Sequence, residues 1–268
     1  MVVADLHVHT TNSDGRLTLE QLPAAADAAD VSAVAVTDHD RLHPELPTPV
    51  STIDGVTVVH GIELRVESDD VGDRGQEHRG GDRRVDLLGY GVRRTPALES
   101  LVERLQTDRR ERGRTIIERV EDRLGTEIPV DPRPGLGRPH IAEAIASASE
   151  YSYAGAFEEL IGDGCPCYVP RNIPAFDDGL DVLREACGLV SLAHPHRYDD
   201  PAAALELCSA LDAVERFYPY GRETDSELIE RAIERYDLLV TGGSDAHDET
   251  VGKAGLDRSE YRSFRAAL

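Results

Sequence analysis

Short apolar runs recur along the chain, each followed by a polar break and then by residues with helical spacing. The runs cover residues 1–4, 33–37, 56–60, 85–92, 189–193, 213–216 and 238–240. Their length and aliphatic, β-branched content predict buried strands. Helical spacing is read over 18–30, with a possible cap at Thr18, and again over 179–187, 202–209, 223–236 and 259–268. A polar turn is expected between Thr37 and Val56. Strand and helix in alternation predict an α/β chain with a parallel sheet or barrel.

Two stretches break the rhythm. Residues 69–84 are rich in Gly, Asp and Arg without periodicity and read as a mobile surface loop. From about residue 96 to 170 only helical spacing remains. Leu98, Leu101, Leu105, Ile116, Ile117, Val120 and Leu124 mark one long helix. A loop with Pro129, Pro132, Pro134 and Pro139 follows, then helices over 140–149 and 154–161. This block reads as a helical insertion into one domain spanning residues 1–268.

Composition narrows the setting more than the activity. The 268 residues are 40% hydrophobic, enough for a sizeable core, with a formal charge of −22 from 51 acidic and 29 basic side chains. Lys253 is the only lysine. So many carboxylates with so little lysine suggest a halophilic protein, its surface acids solvated and screened at high salt. The same field disfavours a long nucleic-acid duplex as partner. No signal-like segment or membrane-length apolar run is read, so a cytoplasmic location is expected. Cys165, Cys167, Cys187 and Cys208 lack the usual zinc or redox spacing and are expected to be free thiols.

The chemistry gathers where the apolar runs end. Asp5-Leu6-His7-Val8-His9, Thr37-Asp38-His39-Asp40, Gly61-Ile62-Glu63, Ala193-His194-Pro195-His196 and Ser244-Asp245-Ala246-His247 each adjoin one. Imidazole and carboxylate are the ligands of zinc, manganese and iron. Alternate side chains of a strand share a face, so His7 and His9 can grip one ion, and Asp5 could orient a ligating imidazole. In a closed barrel the first and last strands are neighbours, which would bring Asp245 and His247 to the same mouth.

Together with Ser13-Asp14-Gly15, these motifs resemble the PHP (polymerase and histidinol phosphatase) superfamily, in order and over nearly the whole chain. The resemblance implies a distorted (β/α)7 barrel with a helical insertion, holding two to three divalent ions, Mn2+, Fe2+ or Zn2+. It implies that His7, His9, Glu63 and Asp245 bind one ion, that Glu63 bridges to a second with His194, and that Asp14, His39 and His247 hold a third. Many relatives carry histidine as a ligand of the second ion where this chain has Asp86. Aspartate could ligate a harder ion there, or could merely fill the position.

Gly137-Arg138-Pro139-His140 and Tyr168-Val169-Pro170 resemble the members of the superfamily that act on nucleotides. That resemblance implies that Arg138 and His140 act on the substrate phosphate, as contact and proton donor. Arg171 and His196 are weaker substrate-binding candidates, as are Arg197 and Arg222. His43, His60 and His78 are assigned no catalytic role. The expected activity is a metal-dependent phosphatase, acting on a nucleotide or on the 5′ end of a short oligonucleotide through a metal-bound hydroxide. Its partners are then small phosphorylated metabolites, nucleotides or short RNA, with no membrane. Histidinol-phosphate phosphatase and a metal-stabilised binding module without turnover are the alternatives.

Overall fold

The computed structural model describes residues 1–68 and 84–268. The loop expected over 69–84 and His78 lie outside the described residues, apart from Arg84, which opens a strand. The chain divides into two compact units, one of Met1–Glu99 with Ile173–Leu268, the other of Ser100–Asn172.

In the first unit, β1 (Ala4–Val8), β2 (Ala33–Val36), β4 (Val56–Glu67), β5 (Arg84–Tyr90), β6 (Leu189–Leu192), β7 (Ala213–Phe217) and β8 (Leu239–Gly242) follow one another around a sheet. The eighth strand, β3 (Val50–Ile53), hangs on β4 alone. Val8 makes a parallel bridge to Ala246, beyond β8. Its neighbour His9 donates its N–H to the Ala246 carbonyl at 3.0 Å. The path is therefore a nearly closed barrel of seven strands. It is not parallel throughout, because β4–β5 and β5–β6 run antiparallel.

Strand parity sorts the packing. Ala33 and Ala35 of β2 join Leu6, Val59, Leu88, Leu189 and Ala213 in a core drawn from six strands. Val34 and Val36, one residue out of phase, pack with Val8, Val58, Leu22 and Ala26 against α1 (Leu22–Ala28). The first unit also holds α5 (Phe176–Ala186), α6 (Pro201–Glu206), α7 (Ser226–Tyr236) and α8 (Arg258–Ala267). In the second unit, α2 (Pro96–Leu124, which starts in the first), α3 (Arg138–Ala148), α4 (Tyr153–Ala156) and a π-helical turn at Phe157–Ile161 enclose Ile116, Val120, Ile141, Ile145 and Leu160.

Three departures from the sequence reading have local causes. The segment read as a polar turn contains β3, which folds back on β4 through Asp54 and Gly55 at φ 45° and 86°, the left-handed pair that suits a tight hairpin. Thr18 does not cap α1. It exchanges hydrogen bonds with Gln21 in a preceding turn, and the helix starts one step before Pro23. Finally, β1 and β4 extend through their motifs, so His7 and Glu63 lie inside strands. Among the described residues no helix is long and apolar enough to cross a membrane. The four cysteines are free.

Candidate metal centre

At one end of the barrel the ends of β1, β2, β6 and β8, the middle of β4 and the start of β5 bring His7, His9, Asp14, His39, Glu63, Asp86, His194, Asp245 and His247 together. Their ligand atoms form four overlapping groups, each closing within 4.8 Å: His9, Asp14, His39 and His247; His7, His9 and Glu63; His7, His194 and Asp245; and Glu63, Asp86 and His194. Glu63 spans them. Its Oε1 lies 3.4 Å from His7 Nε2 and 3.1 Å from His194 Nε2, and its Oε2 lies 3.4 Å from His9 Nε2 and 2.6 Å from His39 Nδ1.

The backbone that presents these groups is constrained. Asp40, His194 and Asp245 hold positive φ angles of 53°, 29° and 48° where the chain leaves its strands. A Cβ on Gly243 would sit 2.3 Å from the His7 nitrogen, so only glycine lets the exit of β8 approach β1. Asp38 accepts from Thr10 N–H, Ser13 Oγ and Asn12 Nδ2, which folds the 10–14 loop so that Asp14 reaches the centre.

Asp5 does not orient an imidazole. Its carboxylate accepts from the backbone N–H groups of Ser244 and Gly252 and from Ser244 Oγ, tying the exit of β8 to β1. The imidazole is held by a residue the sequence reading missed. Glu215, fully buried on β7, lies 3.0 Å from His7 Nδ1 and accepts from the His194 N–H at 2.7 Å. That bond aims His7 Nε2 at the centre. Its only sequence signal is a lone acid inside an apolar strand. Tyr218 and Arg197 donate to Asp245 Oδ2 at 2.8 and 2.9 Å, leaving Oδ1 toward His9 at 3.1 Å.

The electrostatics suit cations. Burial opposes ionisation of Glu63, but His39 and His7 outweigh it and hold its carboxyl well below the usual range. Asp245 is likewise depressed, against its burial, by His7 and His9. Burial, with His247 and His39 beside it, pulls His9 down to about 4, so it offers a neutral imidazole. His7 Nε2, both ring nitrogens of His9, Asp14 Oδ1 and Glu63 Oε2 are buried without a hydrogen-bond partner. Divalent ions would satisfy these nitrogens and oxygens, and the donor set fits zinc, manganese or iron.

Asp86 reaches the cluster, but both of its oxygens are taken by Arg65, from Nε at 2.7 Å and Nη2 at 2.6 Å. His196 is not in any ligand group; its buried ring lies edge-on to Tyr220. His43 and His60 are buried and stand outside the groups as well. Arg138, His140 and Arg171 belong to the second unit. There Arg138 pairs with Asp163 and lies over the Phe157 and Tyr168 rings. His140 Nδ1 accepts from the Gly137 N–H at the start of α3. Arg112 is pushed down to about 9 by burial and by the nearby Arg138 and Arg171.

A model of the PHP domain matches residues 5–262. The chain is 31% identical to a phosphoribosyl 1,2-cyclic phosphate 1,2-diphosphodiesterase of Eggerthella lenta, over 98% of this chain and 99% of that one. It is 30% identical to the 5′-3′ exoribonuclease Rnm of Salmonella typhimurium, over 92% and 85% of the two chains. Among solved structures, a candidate metal-dependent phosphoesterase from Bifidobacterium adolescentis superposes with a TM-score of 0.76 at 22% identity, covering 98% of this chain and 96% of that one.

Proposed function

The chain belongs to the PHP family and is a metal-dependent phosphoesterase, and we propose that it acts on phosphate esters carried by a ribose, in a nucleotide or at the 5′ end of a short oligonucleotide. Glu63 carries the reading. A buried carboxylate with one oxygen toward His7 and His194 and the other toward His9 and His39 is placed to join two cation sites. Divalent ions, when bound, lower the pKa of water and neutralise charge developing on phosphoryl oxygens. His7, His9, Glu63 and Asp245 would hold one ion, and Asp14, His39 and His247 another.

The remaining groups orient and balance charge. Glu215 fixes His7, while Arg197 and Tyr218 fix Asp245. The side chain of Arg197 is 53% exposed, so it can also meet a phosphate oxygen from the open side. A ribose phosphate is favoured because both relatives are named for substrates that join phosphate to ribose. The proposal extends to Arg138 and His140 as substrate contacts: replacing either by alanine is expected to raise KM for a nucleotide substrate.

The deciding assay uses the metal-loaded protein in molar salt, with His194→Ala as control. Its substrates are 3′-phosphoadenosine 5′-phosphate, AMP, histidinol phosphate and a short 5′-phosphorylated RNA. Phosphate or mononucleotide release from a ribose ester, lost in the variant, is expected. Release from histidinol phosphate alone would refute the ribose assignment.

A further inference from the structure

The corner formed by Glu63, Asp86 and His194 differs from the other ligand groups, because a guanidinium already occupies both oxygens of its Asp86 carboxylate. Arg65 and Asp86 are directly opposite each other in the antiparallel β4–β5 ladder, and Arg65 shares its strand face with Glu63, two residues earlier. Its guanidinium meets the Asp86 carboxylate fork to fork at 2.7 and 2.6 Å, the geometry of a strong charge-assisted pair. The main chain fixes both partners. Arg65 donates its N–H to Asp40 Oδ1 at 3.1 Å, and Asp86 donates its N–H to the Tyr198 hydroxyl at 2.9 Å. Asp86 is 1% exposed, while a third of the Arg65 side chain remains open.

We infer that the Arg65 guanidinium takes the place of a divalent ion at this corner, so that the chain binds two ions per molecule and uses Arg65 as a phosphate-binding cation beside them. An ion here would need an oxygen of Asp86, whose Oδ2 is 3.7 Å from His194 Nε2. An ion on that oxygen would compete with Nη2 for the carboxylate charge and stand beside a guanidinium of like sign. With the fork intact, Asp86 and Arg65 are mutually neutralised, and His194 still has Glu63, His7 and Asp245 as companions. The fork uses two of the five guanidinium N–H donors, and the open third of the side chain can present others to an anion. The role toward phosphate rests on the phosphoesterase reading, but the ion count does not.

The test starts with the unaltered protein, saturated with manganese, freed of excess by gel filtration and measured by elemental analysis. Two ions per chain are expected, and three would overturn the inference. The paired exchange Arg65→Ser with Asp86→His, which removes the guanidinium and supplies an imidazole, is expected to raise the count to three. A folded double variant that still holds two would also overturn it. Arg65→Gln, loaded with two ions per chain, should weaken binding of inorganic phosphate, measured calorimetrically, at least tenfold; unchanged phosphate affinity would refute the phosphate-binding role. If the variants do not fold, the wild-type count decides alone. Two ions and Arg65-dependent phosphate binding, without turnover of any ester, would leave this inference standing and remove the substrate assignment.

Discussion

Glu215→Gln isolates what a buried carboxylate outside the ligand set contributes to the centre. Glu215 is fully buried, with one oxygen on His7 Nδ1 at 3.0 Å and the other on the His194 N–H at 2.7 Å. Both contacts need an acceptor, and glutamine offers only one, so either His7 or His194 must face an NH2 group. Losing the support behind a metal-bound histidine costs roughly 10–100-fold in metal affinity, or about 1.4–2.7 kcal/mol. The near-isosteric amide should leave the fold intact, which circular dichroism checks. Manganese affinity, read by competition with a chelating dye, should fall in that range, with turnover falling in step at subsaturating metal. Glu215→Ala should do more harm, because each unpaired buried group costs about 1–3 kcal/mol. A folded Glu215→Gln protein whose manganese affinity stays within twofold of wild type would refute the argument that Glu215 organises the centre.

Glu63→Ala should abolish turnover and lower the manganese count of the purified protein, since one Glu63 oxygen faces His7 and His194 and the other His9 and His39; full metal retention would contradict the bridging assignment. Gly243→Ala places a Cβ 2.3 Å from the His7 nitrogen and should lower both Tm and metal affinity, whereas native values would show that β1 can yield. His60 is fully buried, and burial, Arg94 and His43 lower it to about 4. The folded chain thus keeps His60 neutral to about pH 4, while the unfolded chain protonates it near 6.5, so stability falls as pH drops through that window. At pH 5 the loss is about 2 kcal/mol relative to pH 8, and urea unfolding of His60→Leu should lack that component; an unchanged pH dependence would assign it elsewhere. Metal at about 100 times its Kd should stabilise the fold by about 2.7 kcal/mol, seen as a Tm that falls on chelation.

What the sequence made legible depended on how far apart the partners lie. His7, His9, Asp245 and His247 could be picked out because His and carboxylate cluster where the apolar runs end. Those runs left sheet and barrel open, and the resemblance to the PHP superfamily implied the barrel. Glu215 could not, because a single acid in Ala-Val-Glu-Arg-Phe has the pattern of an ordinary half-exposed strand. Arg65 could not either: its meaning needs the β4–β5 register, which joins residues twenty-one apart. The parallel sheet was over-read, since apolar strands on either side of residues 69–83 look alike whichever way they pair.

The buried carboxylates explain why the site is nevertheless coherent. Asp5 is satisfied by backbone N–H groups and a hydroxyl, Asp38 by Thr10, Ser13 and Asn12, Asp86 by Arg65, and Glu215 by His7 and His194. Each of these has a partner within the protein and serves to place something else. Asp14 and Glu63 differ, each keeping a buried oxygen without a hydrogen bond beside histidine nitrogens in the same condition. A fold does not bury unsatisfied acceptors against unsatisfied nitrogens without a cost. A cation between them offsets that cost, so an acid left with an unsatisfied buried oxygen is one that should carry the metal.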